Sequence, residues 1–150
     1  MKIKSQSFEQ EIIPKKYTCE GEGISPSLEF LDIPEEAKSL VLLMEDFERQ
    51  DGKRTYWSVW NINPADTMFL EGITPEEAIE GTNFEGKIGY LPPCPLAGKN
   101  RYVFRLFAVA NIIMLTEGAT RYQLDQELKG YVLETAELIC FYDKEEGRND

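Results

Sequence analysis

Histidine is absent from all 150 residues. Its absence excludes Ser-His-Asp and Cys-His catalysis, because both need an imidazole base. It also removes the usual zinc-hydrolase ligand sets. Any chemistry falls to carboxylates, lysine, tyrosine or cysteine, and a non-enzymatic protein is expected. Long apolar runs are missing too, and none approaches the roughly 20 residues that span a bilayer. The opening Met1-Lys2-Ile3-Lys4-Ser5-Gln6-Ser7 lacks the apolar core of a secretory leader. A cytoplasmic protein without a membrane span is expected. Cysteine is sparse: Cys19, Cys94 and Cys140 make an odd count of three. Their spacing fits no metal motif, and no cofactor is expected. Three thiols allow one disulfide, but reduced thiols are the expectation for a cytosolic chain.

Positive charge is the next scarcity. The formal net charge is −11, and the densest basic runs, Lys15-Lys16 and Lys53-Arg54, are too short for a phosphate-backbone footprint. Nucleic acid is therefore excluded as a partner. What remains is ordinary globular composition, 42% hydrophobic and 29% charged. The length fits a single domain over 1–150, with no repeat and no linker.

The chain reads as short strands between turn signals. Leu40-Val41-Leu42-Leu43-Met44 is continuously apolar, as in a central strand covered on both faces. Tyr56 to Trp60 and Tyr102 to Ala110 are two more strands. Leu28-Glu29-Phe30 and the Ile3-Ser5-Ser7 alternation predict edge strands. Thr120-x-x-Gln123 is a capping box opening a helix that carries Leu124 and Leu128. Gly130 interrupts it, Tyr131 to Leu138 is expected as a second short helix, and residues 139–142 as a last strand. A helical turn is expected after Thr74-Pro75. Strands early and helices late predict a mainly β (α+β) fold, an antiparallel β-sandwich with short C-terminal helices.

Several segments occur in a familiar order. They are Ile13-Pro14-Lys15-Lys16-Tyr17-Thr18-Cys19-Glu20-Gly21 with Ile24-Ser25-Pro26-Ser27-Leu28; Lys38 to Leu42 leading to an acidic turn; and Trp57-Ser58-Val59-Trp60-Asn61-Ile62. Then come Gly81-Thr82-Asn83-Phe84-Glu85-Gly86, Pro93-Cys94-Pro95 with Arg101-Tyr102-Val103-Phe104, and Gly130-Tyr131-Val132-Leu133. The chain resembles the bacterial and archaeal branch of the phosphatidylethanolamine-binding protein family from about Phe8 to Tyr142. The resemblance implies a large antiparallel sheet packed on a smaller one. It also implies a small surface pocket for phosphate or phosphoethanolamine-like groups. Some members regulate kinases or inhibit proteases, and some are called Raf kinase inhibitor-like.

The same resemblance marks the departures. The family's Asp-Pro-Asp-Ala-Pro turn reads Asp46-Phe47-Glu48-Arg49-Gln50 here, keeping two carboxylates without the prolines. Tyr56, Asn100 and Tyr131 stand where the family has histidines. Leu91-Pro92 precedes Pro93 and Cys94 in place of glycines, and Leu96 replaces a proline. An imidazole with a pKa of about 6.5 can become cationic, whereas Tyr and Asn donate while staying neutral. Arg101 has two readings: an oxyanion partner, or a structural ion pair with Asp46 or Glu48. The candidate ligand set is Asp46, Glu48, Tyr56, Pro93, Cys94, Asn100, Arg101 and Tyr131. Tyr56 and Tyr131 also read as packing residues, Asn100 as a turn residue at positive φ, and Cys94 as structural.

Two functions follow. One is a binding or regulatory protein with a His-free pocket for a small polar ligand. The other is a protein-interaction module with a vestigial pocket, regulating a kinase or protease. Catalysis by Asp46 and Glu48 as an acid–base pair is the remaining enzymatic reading.

Overall fold

The structure, a computed structural model, describes residues 1–8, 10–94 and 97–144. Leu96, part of the loop departure above, lies outside the described residues. The strands run in chain order β1 (Lys2–Lys4), β2 (Leu28–Leu31), β3 (Ser39–Asp46), β4 (Thr55–Ile62), β5 (Met68–Phe69), β6 (Ile79–Glu80) and β7 (Lys99–Val109). Helix α1 (Arg121–Leu128) and strand β8 (Val132–Asp143) follow.

β3 is apolar throughout because both its faces are covered. Leu40, Leu42 and Met44 point to one side, where they meet Leu28, Phe30 and Phe69 of the small sheet β1-β2-β5. Val41 and Leu43 point to the other, beneath Leu124 and Leu128 of α1. The large sheet has the order β6-β4-β3-β7-β8 and is antiparallel throughout. Each of these fully buried side chains contributes roughly 1.5–3 kcal/mol relative to exposure. The mainly β, two-sheet fold is as the sequence predicts.

The capping box forms as expected: the Thr120 side chain accepts from the Gln123 N–H, and the Gln123 side chain accepts from the Thr120 N–H at 2.9 Å. The second helix does not form. Residues 132–143 are instead one strand, paired with β7 from Val109↔Val132 to Lys99↔Asp143. Gly130 ends the helix at φ 82°, a left-handed position that glycine takes without a Cβ clash. Beyond it, ladder pairing overrides the helical preference of Leu, Glu and Ala. Among the described residues α1 is therefore the single α-helix. After Thr74-Pro75 there is only a turn, closed by Ala78 N–H to the Pro75 carbonyl at 3.0 Å.

Cys19 and Cys94 form a disulfide, with Cα atoms 5.2 Å apart, which replaces the expected reduced thiols. Cys140 is free and buried, and burial pushes its thiol well above the ordinary range. No helix among the described residues is long and apolar enough to cross a membrane.

Candidate functional site

The end of the β3–β7 ladder carries an open pocket of about 370 Å³ lined by Asp46, Glu48, Lys99, Asn100 and Arg101. Asp46 is the last residue of β3 and pairs with Tyr102. The turn after it is drawn back to the sheet by Phe47 N–H bonding the Arg101 carbonyl at 3.0 Å. Asp46 Oδ1 accepts the Glu48 N–H at 2.9 Å. This is an Asx turn, and it fixes the loop without the family's prolines. Among the described residues, the other carboxylate oxygen of Asp46 has no hydrogen-bond donor.

Both cations of the pocket have a side-chain contact. Arg101 places Nε at 3.1 Å and Nη2 at 2.8 Å from Glu48 Oε2, and its guanidinium lies 4.6 Å from the Phe47 ring centroid. Lys99 Nζ sits 4.0 Å from the Phe141 ring centroid. Of the two readings of Arg101, the structure has the ion pair, and with Glu48 rather than Asp46.

Tyr56 is nearly fully buried and packs edge-on against Phe84 and Tyr102. Burial raises its phenol above the usual value near 10. The Arg54 and Asp46 charges act on it in opposite directions. Burial holds the Tyr102 phenol higher still. Both rings stay protonated donors at neutral pH.

Asn100 lies within β7 opposite Tyr142 and donates to the Gly98 carbonyl at 3.1 Å. The expectation of a turn residue at positive φ is not met. The left-handed position falls on Gly98, at φ 90°, because Asn100 is already held in the ladder. Pro93 and Cys94 do not line the pocket. Pro93 is buried, its carbonyl takes the Cys19 N–H at 3.0 Å, and Cys94 holds the disulfide. They tie this part of the chain to Cys19.

Tyr131 is not brought to the site. Its carbonyl accepts the Ala110 N–H at 2.9 Å, whereas Asp46 pairs with Tyr102. The two positions are eight residues apart along the chain (102 to 110), about 26 Å of extended strand. Tyr131 is 48% exposed. Lys99 also lines the pocket and is absent from the candidate set read from the sequence. Its place next to Asn100 in the chain is the available signal.

The chain matches the family model for phosphatidylethanolamine-binding protein over residues 4–143. The chain belongs to the phosphatidylethanolamine-binding protein family. A UPF0098 protein of Chlamydia trachomatis is 43% identical, covering 97% of this chain and all 100% of that one. Another, from Methanothermobacter thermautotrophicus, is 37% identical over 95% of this chain and 98% of its own. The crystal structure of a phosphatidylethanolamine-binding protein homologue from C. trachomatis superposes with a TM-score of 0.86 at 41% identity, covering 95% of this chain and 96% of that one. E. coli YbcL, described as a member of the mammalian family, shares the fold with a TM-score of 0.84 at 24% identity, over 95% and 97% of the two chains. The bacterial and archaeal relatives fit the branch that the sequence resembles.

Proposed function

We propose that this family member is a non-enzymatic binding or regulatory protein. Its pocket takes a small polar ligand through hydrogen-bond donors on that ligand, a neutral or cationic group rather than a bare phosphate. One observation carries the reading: Asp46 lines the pocket with an uncommitted carboxylate oxygen, while Arg101 is spent on Glu48. A phosphate entering here meets the Asp46 carboxylate, and the Arg101 guanidinium beside it is already paired with Glu48. At the pocket end of the sheet the neutral phenol of Tyr56, packed against Tyr102, stands where the family has a switchable histidine. The Glu48–Arg101 pair also argues against an acid–base dyad, since one of its carboxylates is already neutralised.

The test is an NMR titration of ¹⁵N-labelled protein near neutral pH with ethanolamine, phosphoethanolamine and inorganic phosphate in turn. Ethanolamine and phosphoethanolamine are expected to move the amides of Asp46, Glu48, Tyr56, Asn100 and Arg101 and to leave Tyr131 in place. Inorganic phosphate is expected to move them far less. The reverse order of ligands sinks the proposal. Silence toward all three at millimolar concentration transfers the function to a protein partner.

A further inference from the structure

Beside α1, on the face of the large sheet that the helix covers, lies a cleft of about 470 Å³. Among the described residues it shares no lining residue with the Asp46 pocket. Arg121 and Asp125 reach it from α1, one helical turn apart. Arg105 and Phe107 reach it from β7, two residues apart and hence on one face. Lys129 and Val132 line it beyond the end of the helix. On a chain of net charge −11, this lining carries three cations and one carboxylate.

Glu45 holds the two guanidiniums side by side. It is fully buried, and it takes Arg105 Nη1 on one oxygen at 3.1 Å and Arg121 Nη1 on the other. Arg121 Nη1 also donates to Thr55 Oγ1, and its Nε donates to Asp125 Oδ1, both at 2.9 Å. A guanidinium has five N–H donors, so each arginine has some left over. Among the described residues, neither Arg105 Nη2 nor Arg121 Nη2 has a hydrogen-bond partner. Arg105 Nε is buried and also lacks one. Glu137 Oε2 stands 3.4 Å from it, without the alignment of a hydrogen bond. Lys129 Nζ meets the neutral Gln126 Oε1 at 3.3 Å, and among the described residues it pairs with no carboxylate. The arginines are already fixed by a buried carboxylate, so little ordering entropy is lost when their spare donors are used.

We propose that this cleft is a second binding site, for an organic carboxylate with a short apolar tail. The carboxylate takes the spare donors of Arg105 and Arg121, and Lys129 adds charge at the rim. The tail lies on Phe107, Leu128 and Val132, the last 39% exposed. Inorganic phosphate fits less well, because the apolar wall leaves some of its oxygens without donors. The competing anions are Asp125 and Glu137. Their side chains are 42% and 43% exposed, and an exposed carboxylate exchanges its partner for water at little cost.

The test is an NMR titration of the intact ¹⁵N-labelled protein with hexanoate, acetate, hexylamine and inorganic phosphate in turn. Hexanoate is expected to move the amides of Arg105, Phe107, Asp125, Lys129 and Val132 and to leave those of Asp46 and Glu48 in place. Acetate, which has no tail, should act at the same amides about tenfold more weakly or less. Hexylamine has the tail and the wrong charge, and should leave the cleft amides still. Two variants of exposed side chains then give opposite signs, which a general loosening of the fold cannot do. Lys129→Glu is expected to raise the dissociation constant for hexanoate about tenfold, and Glu137→Gln to lower it about threefold. The proposal is overturned if millimolar hexanoate leaves the cleft amides unmoved, or if hexylamine or phosphate moves them as strongly. An unchanged hexanoate affinity in both variants also overturns it.

Discussion

Glu45 and Glu48 stand three residues apart, each bonded to arginine, and they do opposite things. Glu45 is fully buried between β3, β7 and α1. Arg105 Nη1 donates to one of its oxygens at 3.1 Å, and Arg121 Nη1 donates to the other. Arg121 is itself tied to Asp125 and to Thr55, both at 2.9 Å. Glu48 is 59% exposed and offers one oxygen to one arginine. A buried carboxylate must keep its cations, because an unpaired charge in low dielectric is costly. An exposed one exchanges its partner for water at little cost. The same acid–arginine chemistry therefore makes a structural joint on one side of the sheet and an adjustable site at its end. Burial, not residue type, decides between them.

Glu45→Ala breaks the buried half of that contrast most severely. It strands Arg105 and Arg121, and a loss of about 3–5 kcal/mol is expected in urea unfolding. A loss under about 1 kcal/mol erases the distinction. Cys94→Ser tests the anchor of the exposed half. The Cys19–Cys94 bond spans 75 residues, and its removal is expected to cost about 2–4 kcal/mol. Cys94 stands five positions before Lys99. In native-state hydrogen exchange the opening is expected near Lys99 to Arg101, while the protons around Glu45 keep their protection.

That division was partly visible in the sequence. In β3, Val41, Leu43 and Glu45 share one face by the two-residue period, so a carboxylate continuing an apolar face already signals a buried partner. Which arginines supply it is a tertiary matter: Arg121 lies 76 positions away. The capping box was legible because Thr120 and Gln123 interact locally. Tyr131 to Leu138 was misread because Glu, Ala and Leu favour a helix locally, while the long pairing with β7 decides the outcome. The turn acids, Asn100 and Arg101 reach the pocket because they sit at one end of two paired strands. Tyr131 is a candidate by family likeness, and its place in the turn before β8, bonded to Ala110, carries it to the other end. The disulfide could not be read from spacing, because only the fold brings Cys19 to Cys94.

Glu48→Ala gives the smallest change in stability and the sharpest test of the site. The Glu48–Arg101 pair lies in solvent, so unfolding should shift by no more than about 0.5 kcal/mol. The pocket should change far more than the fold. Without Glu48, the Arg101 guanidinium is free to meet an oxyanion, and a charge-assisted bond of that kind strengthens binding appreciably. Inorganic phosphate is expected to bind the variant about tenfold more tightly than the parent, a gain of about 1.4 kcal/mol. Ethanolamine, held through Asp46, should lose little. Calorimetric titration of both ligands into both proteins gives four affinities. If phosphate binding is unchanged, Glu48 is not what withholds Arg101 from anions, and the exposed pair is as structural as the buried one.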